Sequence, residues 1–235
     1  MVATVVFKTD ELRDYAVRAG LSLNFVVKEA FLFELMESIG NEDFVLKGGT
    51  AINKGYLGGH QRFSEDLDYD TDLGSGDARK HIERLGWKIK KDFFTKHSIG
   101  FMMAYKFDSI VDVVRLDISF GIRGKAEKRR TVSDFLPISK IASMYKFKEL
   151  NAQKESAFEE RKEWKDLYDL YWMHELYADA FRIKDKAKFA GALSNIKVPK
   201  TANAFIPAQK RPNWNMLIET LKQATMAEPG QTHHA

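Results

Sequence analysis

The sequence predicts an α/β fold, of the α+β kind, in which a mixed sheet with flanking helices is followed by a helical C-terminal lobe. Three observations predict it. Up to Phe120, stretches with helical apolar spacing alternate with short apolar or alternating runs that read as strands. Beyond the turn-rich residues 121–125, the pattern is helical for most of the remaining chain. The 235 residues are 44% hydrophobic, 12% aromatic and 30% charged, which suits a folded protein of one large or two small domains.

Between residues 9 and 39, Phe25, Leu32, Leu35, Met36 and Ile39 recur at helical spacing, with Gly20 and Gly40 as punctuation, so two helices are expected. Residues 44–46 form a short apolar strand, Gly48 and Gly49 a tight turn, and residues 50–57 a helix that Thr50 can cap. Gly58 and Gly59 end that helix. Leu67 and Tyr69 then alternate with Asp66, Asp68 and Asp70 in a second strand. A helix over residues 76–85 precedes candidate strands at 88–94, 99–107 and 111–120. The helical pattern resumes near Pro137, with Ile138, Ile141, Ala142 and Tyr145 on one face, and Trp164, Leu167, Tyr168 and Tyr171 on a later one. The lobe boundary falls near residue 130, dividing the chain into 1–130 and 131–235. Residues 197–212, with Pro199, Pro207 and Pro212, read as an extended linker before a last helix over 214–224.

Composition excludes several chemistries. There is no cysteine, hence no disulfide, thiolate metal site or cysteine nucleophile. No apolar run approaches the ~18 residues of a membrane span, and residues 1–10 lack the pattern of a signal peptide, so a cytoplasmic protein with no membrane partner is expected. His60 and His97 have no partner histidine at ligand spacing, and His233 and His234 read as a solvated tail. The net charge of +4 is unevenly spread. Residues 61–77 hold six acids against Arg62, whereas residues 181–212 hold eight bases against Asp185. An acidic nest attracts cations and a basic flank attracts phosphates.

On a strand, Asp66 and Asp68 project to the same face while Leu67 turns to the core. Two carboxylates held together repel, and magnesium bound through oxygen ligands relieves that cost. Phosphoryl and nucleotidyl transfer use this arrangement, because the cation activates a hydroxyl and offsets charge on the phosphate. Asp117, within Val113-Val114-Arg115-Leu116-Asp117, lies on another candidate strand and completes the set if the strands are neighbours. Gly48 and Gly49, at a strand-to-helix turn, leave backbone N–H groups facing an anion such as a triphosphate, and Ser64 stands at the right offset from Asp66 to add a hydroxyl.

Lys47-Gly48-Gly49-Thr50-Ala51-Ile52, followed by Arg62-Phe63-Ser64-Glu65-Asp66-Leu67-Asp68, closely resembles the AbiEii/AbiGii toxin family of the nucleotidyltransferase superfamily, whose catalytic fold is of the polymerase-β type. The segment Lys165-Asp166-Leu167-Tyr168-Asp169 resembles the family's downstream lysine-or-arginine, Asp-x-x-Asp motif. The resemblance covers residues 44–172. It implies catalytic roles for Asp66, Asp68, Asp117, Asp166 and Asp169, and for a lysine on the preceding helix. Lys146 is the first choice for that lysine, with Lys148 and Lys140 behind it, and residues 151–160 look inserted between it and the Asp-x-x-Asp segment. It also implies NTP contacts from Lys47, Gly48, Gly49, Thr50, Arg62 and Ser64, with magnesium or manganese on Asp66, Asp68 and Asp117. The implied activity is NMP transfer from an NTP to an acceptor hydroxyl, RNA or tRNA foremost, by a toxin of a toxin–antitoxin or phage-defence locus with a cognate antitoxin. Two other readings use the same residues: modification of a small molecule or protein, and an NTP-binding regulatory module without turnover.

Overall fold

A computed structural model describes residues 7–40 and 42–226; His233 and His234 lie outside them. Helix α1 (Thr9–Ala19) stops at Gly20, whose left-handed φ of 62° lets two backbone N–H to C=O bonds close the end. Helix α2 (Leu23–Ile39) is capped by the Ser22 hydroxyl, which accepts from the Phe25 N–H at 3.3 Å. Between Val26 and Ile39 its apolar residues are all buried, while Glu37 and Ser38 are exposed. There follow β1 (Phe44–Lys47), α3 (Gly48–Tyr56), β2 (Asp66–Thr71), α4 (Ser75–Arg84), β3 (Lys88–Phe94), β4 (Ser98–Phe107) and β5 (Ile110–Phe120). After them come β6 (Ala126–Val132), β7 (Ser139–Tyr145), α5 (Phe147–Arg161), α6 (Trp164–Leu176), α7 (Lys186–Asn195) and α8 (Trp214–Met226).

The strands of the described residues form one seven-stranded mixed sheet in the order β3-β4-β5-β2-β1-β7-β6. β2 runs antiparallel to β1 and parallel to β5, and β1 runs parallel to β7. One face carries Leu67, Tyr69, Ile99, Phe101, Tyr105, Leu116 and Ile118 into the core, where Phe31 of α2 stacks on Tyr105 at 4.2 Å. The aspartates of β2 lie on the other face, and α3 packs beside them against α5 and α6. Trp164, Leu167, Tyr168 and Tyr171 are core, as their spacing indicates.

Two expectations are corrected. Residues 126–145 are a β-hairpin of the sheet, so the helical stretch begins at Phe147 and the expected boundary at 130 falls inside β6. Ile138, Ile141, Ala142 and Tyr145 have spacing compatible with a helix, but on β7 Ala142 and Met144 share one buried face, Tyr145 is buried on the other, and Ile141 is 53% exposed. β6, Ala-Glu-Lys-Arg-Arg-Thr-Val, is a charged edge strand whose composition protects a free edge and hides its alternation. Residues 197–212 are also not extended. They form two 3₁₀ turns that bury Ala202 and Ile206, and the Phe63 N–H donates to the Phe205 carbonyl at 2.7 Å. No helix of the described residues is long and apolar enough to cross a membrane.

Candidate active site

The strand register builds one row of side chains across the sheet. Lys47 of β1 is opposite Asp68 of β2, Asp68 is level with Asp117 of β5, Asp117 is opposite Gly100 of β4, and Gly100 is opposite Phe93 of β3. Partners in register point to the same face, so Asp68 and Asp117 stand side by side, with Asp66 one residue pair away. Glycines make the close approach possible. A β-carbon at Gly100 would collide with the Phe93 ring and sit 2.7 Å from Asp117 Oδ1. One at Gly48, where φ is +69°, would sit 2.5 Å from Asp68 Oδ2. Burial raises the Asp68 carboxyl, the charges of Asp66 and Asp117 raise it further, and Lys47 and Lys154 offset only part, so it titrates at about 7.

Asp68 lies at the wall of a cavity of about 620 Å³, lined also by Lys47, Gly48, Gly49, Asp70, Ser119, Arg123, Gln153, Lys154 and Arg161. The start of α3 forms one side of it. Lys47 is the N-cap residue and no side chain caps the helix, so the first-turn N–H groups, which have no acceptor within the helix, are left for an anion. Thr50 was the expected cap. As a buried third helical residue it instead donates to the Asp66 carbonyl at 2.6 Å and shares a hydrogen bond with the Ser64 hydroxyl at 2.8 Å, pinning α3 to β2. Ser64 is buried with it and does not line the cavity. Lys47 is ion-paired with Asp70 and donates to Ser119 at 2.9 Å, while the Tyr145 hydroxyl donates to Asp70 at 2.6 Å.

Behind the cavity lies a buried charge network. Asp169 accepts from Arg62 at 2.9 and 2.6 Å, from Asn53 at 3.0 Å, and pairs with Lys154 at 2.9 Å. Asp166 accepts from Lys154 at 3.0 Å and from Arg161 at 2.7 and 2.8 Å. Burial pushes the Asp166 carboxyl up, but the hydrogen bonds and charges of Arg161 and Lys154 outweigh it and hold the group below its ordinary range. Both aspartates are fully buried, so they face neither bulk solvent nor an open cleft.

Two residue assignments change as a result. The lysine between Asp166, Asp169 and the cavity is Lys154; Lys146 and Lys148 are exposed, and Lys140 pairs with Glu37 at the other end of the hairpin. Residues 151–160 are the body of α5, whose stripe Leu150, Gln153, Lys154, Ala157 and Arg161 faces the cavity. Lys154 escaped the sequence because it is a lysine among polar residues. The available signal was the stripe itself, together with the need of two inward acids for a counter-ion. Arg62, expected on the NTP, is buried and spent on Asp169, and Lys165 pairs with Glu65 at 3.2 Å.

Among the described residues no three acidic or histidine side chains form a ready-made cation cage. Asp117 is held by Arg115 at 2.6 Å. The donor set still fits a hard divalent ion, since magnesium is ordinarily bound by one or two carboxylates together with substrate phosphates and water.

JHP933 from Helicobacter pylori is similar in fold, with a TM-score of 0.65 at 20% identity over 88% of this chain and 92% of its own. MenT4, a nucleotidyltransferase toxin from Mycobacterium tuberculosis H37Rv, aligns with a TM-score of 0.62 at 13% identity over 95% and 91%. No curated protein matches. The family model described as nucleotidyl transferase AbiEii toxin, type IV toxin–antitoxin system, matches residues 30–232, and this chain, a nucleotidyltransferase, belongs to that family.

Proposed function

We propose that the protein transfers an NMP from an NTP to RNA, with a tRNA acceptor end foremost, in a reaction that requires magnesium or manganese. The observation that carries this is the row Lys47, Asp68, Asp117 beside the uncapped start of α3. Asp68, whose neighbouring acids Lys47 and Lys154 only partly offset, and an anion-binding helix start share one cavity, with Asp117 level with Asp68 on the next strand. Asp66, Asp68 and Asp117 are the residues that would hold the cation, which supplies a lowered pKa for the attacking hydroxyl and charge compensation on the phosphate oxygens. The N–H groups at Gly48 and Gly49 orient the triphosphate. Lys47 and Lys154 place positive charge at the cavity wall, Lys154 in the role first given to Lys146. Asp166, Asp169 and Arg62 act through Lys154 as positioning residues, and Thr50 and Ser64 hold α3 against β2. A net charge of +4 favours a polyanionic acceptor, and the family implies a cognate antitoxin.

The test is incubation with each α-³²P-labelled NTP, magnesium and total cellular RNA, followed by denaturing electrophoresis. The reading requires label in an RNA band, lost in excess chelator. Label in protein or a small molecule would move the acceptor class, and undiminished transfer in chelator would reject the cation.

A further inference from the structure

The charges of β3, β4 and β5 are segregated by face. On the face that carries Asp117, the register places Lys88, Lys91 and Phe93 of β3 against Ala104, Met102 and Gly100 of β4. Those lie against Val113, Arg115 and Asp117 of β5, with Lys106 opposite Val111 beyond them. Four bases stand here with Asp117 as the one acid contributed by these three strands. Their other acids, Asp92 and Asp112, lie on the opposite face and are paired with Arg79 at 2.7 Å and Lys28 at 2.8 Å.

The core face of β4 and β5 is buried under α2, whereas Met102, Ala104, Val113 and Phe93 are only half-buried and Lys88, Lys91, Lys106 and Val111 are exposed. The Arg115 guanidinium, half-exposed, lies 5.4 Å from the Phe93 ring centroid while it holds Asp117. Edge protection accounts for lysines on β3 but not for Lys106 or Arg115 on inner strands.

We propose that this open sheet face is the docking platform for the unpaired 3′ end of the RNA acceptor. The inference rests on the RNA-transfer reading above. Half-open apolar side chains and a guanidinium stacked on an aromatic ring suit bases with free π-faces, and the flanking lysines suit the phosphates. From Val111 to Asp117 the platform runs about 20 Å along the strand and ends at the carboxylate row, where an attacking hydroxyl must arrive. The basic stretch 181–212 is placed differently: its helix α7 packs on α5, one helix away from the cavity.

Fluorescence anisotropy with a labelled unpaired RNA oligonucleotide tests the platform without turnover. The Lys88→Glu/Lys91→Glu variant should bind more weakly, and its plot of log affinity against log salt should be shallower by at least about 0.7 for each lysine lost. Lys184→Glu/Lys197→Glu should bind as wild type, and a fully paired RNA should bind less well than the unpaired one. Both substituted pairs are exposed, and circular dichroism checks that each variant is folded. Wild-type affinity in the β3 variant, a larger loss in the 184/197 variant, equal binding of paired RNA, or no RNA binding by wild type would overturn the platform. If binding depends on β3 but wild type transfers no nucleotide to RNA, the platform stands and the transfer reading fails.

Discussion

Asp68 carries the most specific consequence at the scale of single residues. Its folded pKa of about 7 lies above the ordinary carboxylate value, so its contribution to stability is complete below about pH 4 and is lost as pH rises through about 7. Magnesium binds the ionised form, and should therefore raise Tm more at about pH 8 than at about pH 5.5, with Asp68→Asn removing the difference. Thermal melts at the two pH values check this; equal magnesium shifts would remove Asp68 from the cation site. The buried network gives a second expectation. Asp169→Ala leaves the buried Arg62 without its carboxylate and Lys154 with Asp166 alone, and should cost about 3–5 kcal/mol in urea unfolding, while Lys146→Ala should stay within about 0.5 kcal/mol and keep wild-type turnover. Asp66 and Asp68 were legible from their i, i+2 spacing, and Asp117 from its strand context. The identity of the lysine was not, because burial of a polar residue depends on which helix packs above it.

Among the elements, the order from α1 to β5 was legible because each apolar period is flanked by a glycine or a turn. The β6–β7 hairpin was not, since a charged edge strand carries no apolar alternation and Ile138, Ile141 and Tyr145 mimic a helical face. The close fit of β3, β4 and β5 around Gly100 also lay outside any sequence pattern. Gly100→Val would displace Phe93 and push on Asp117, and should cost about 1–3 kcal/mol while lowering transfer much more than Val113→Ala does. Chemical unfolding and initial rates measured together check it. Unchanged transfer would mean that the position of Asp117 does not matter to the chemistry.

At the scale of the whole molecule, the sheet and the C-terminal helices are tied through α3 and the segment after it: Asn53 and Arg62 reach Asp169 on α6, and Phe205 returns to stack on Phe25 at 5.1 Å. Unfolding should therefore be one transition, followed identically by tryptophan fluorescence and far-UV circular dichroism. Two separated transitions would mean that the halves fold independently. The two-part plan was legible as a change of period, but its joint was not, because the contacts that close it are between residues more than a hundred positions apart. The central claim is that cation and triphosphate meet between the Asp66, Asp68, Asp117 row and the start of α3. The most direct test is a crystal grown with manganese and a non-hydrolysable NTP, with an anomalous difference map. The account predicts manganese on Asp66 and Asp68, beside Asp117, and phosphate oxygens on the Gly48 and Gly49 amides; manganese bound away from these carboxylates, or a triphosphate seated elsewhere, would contradict it.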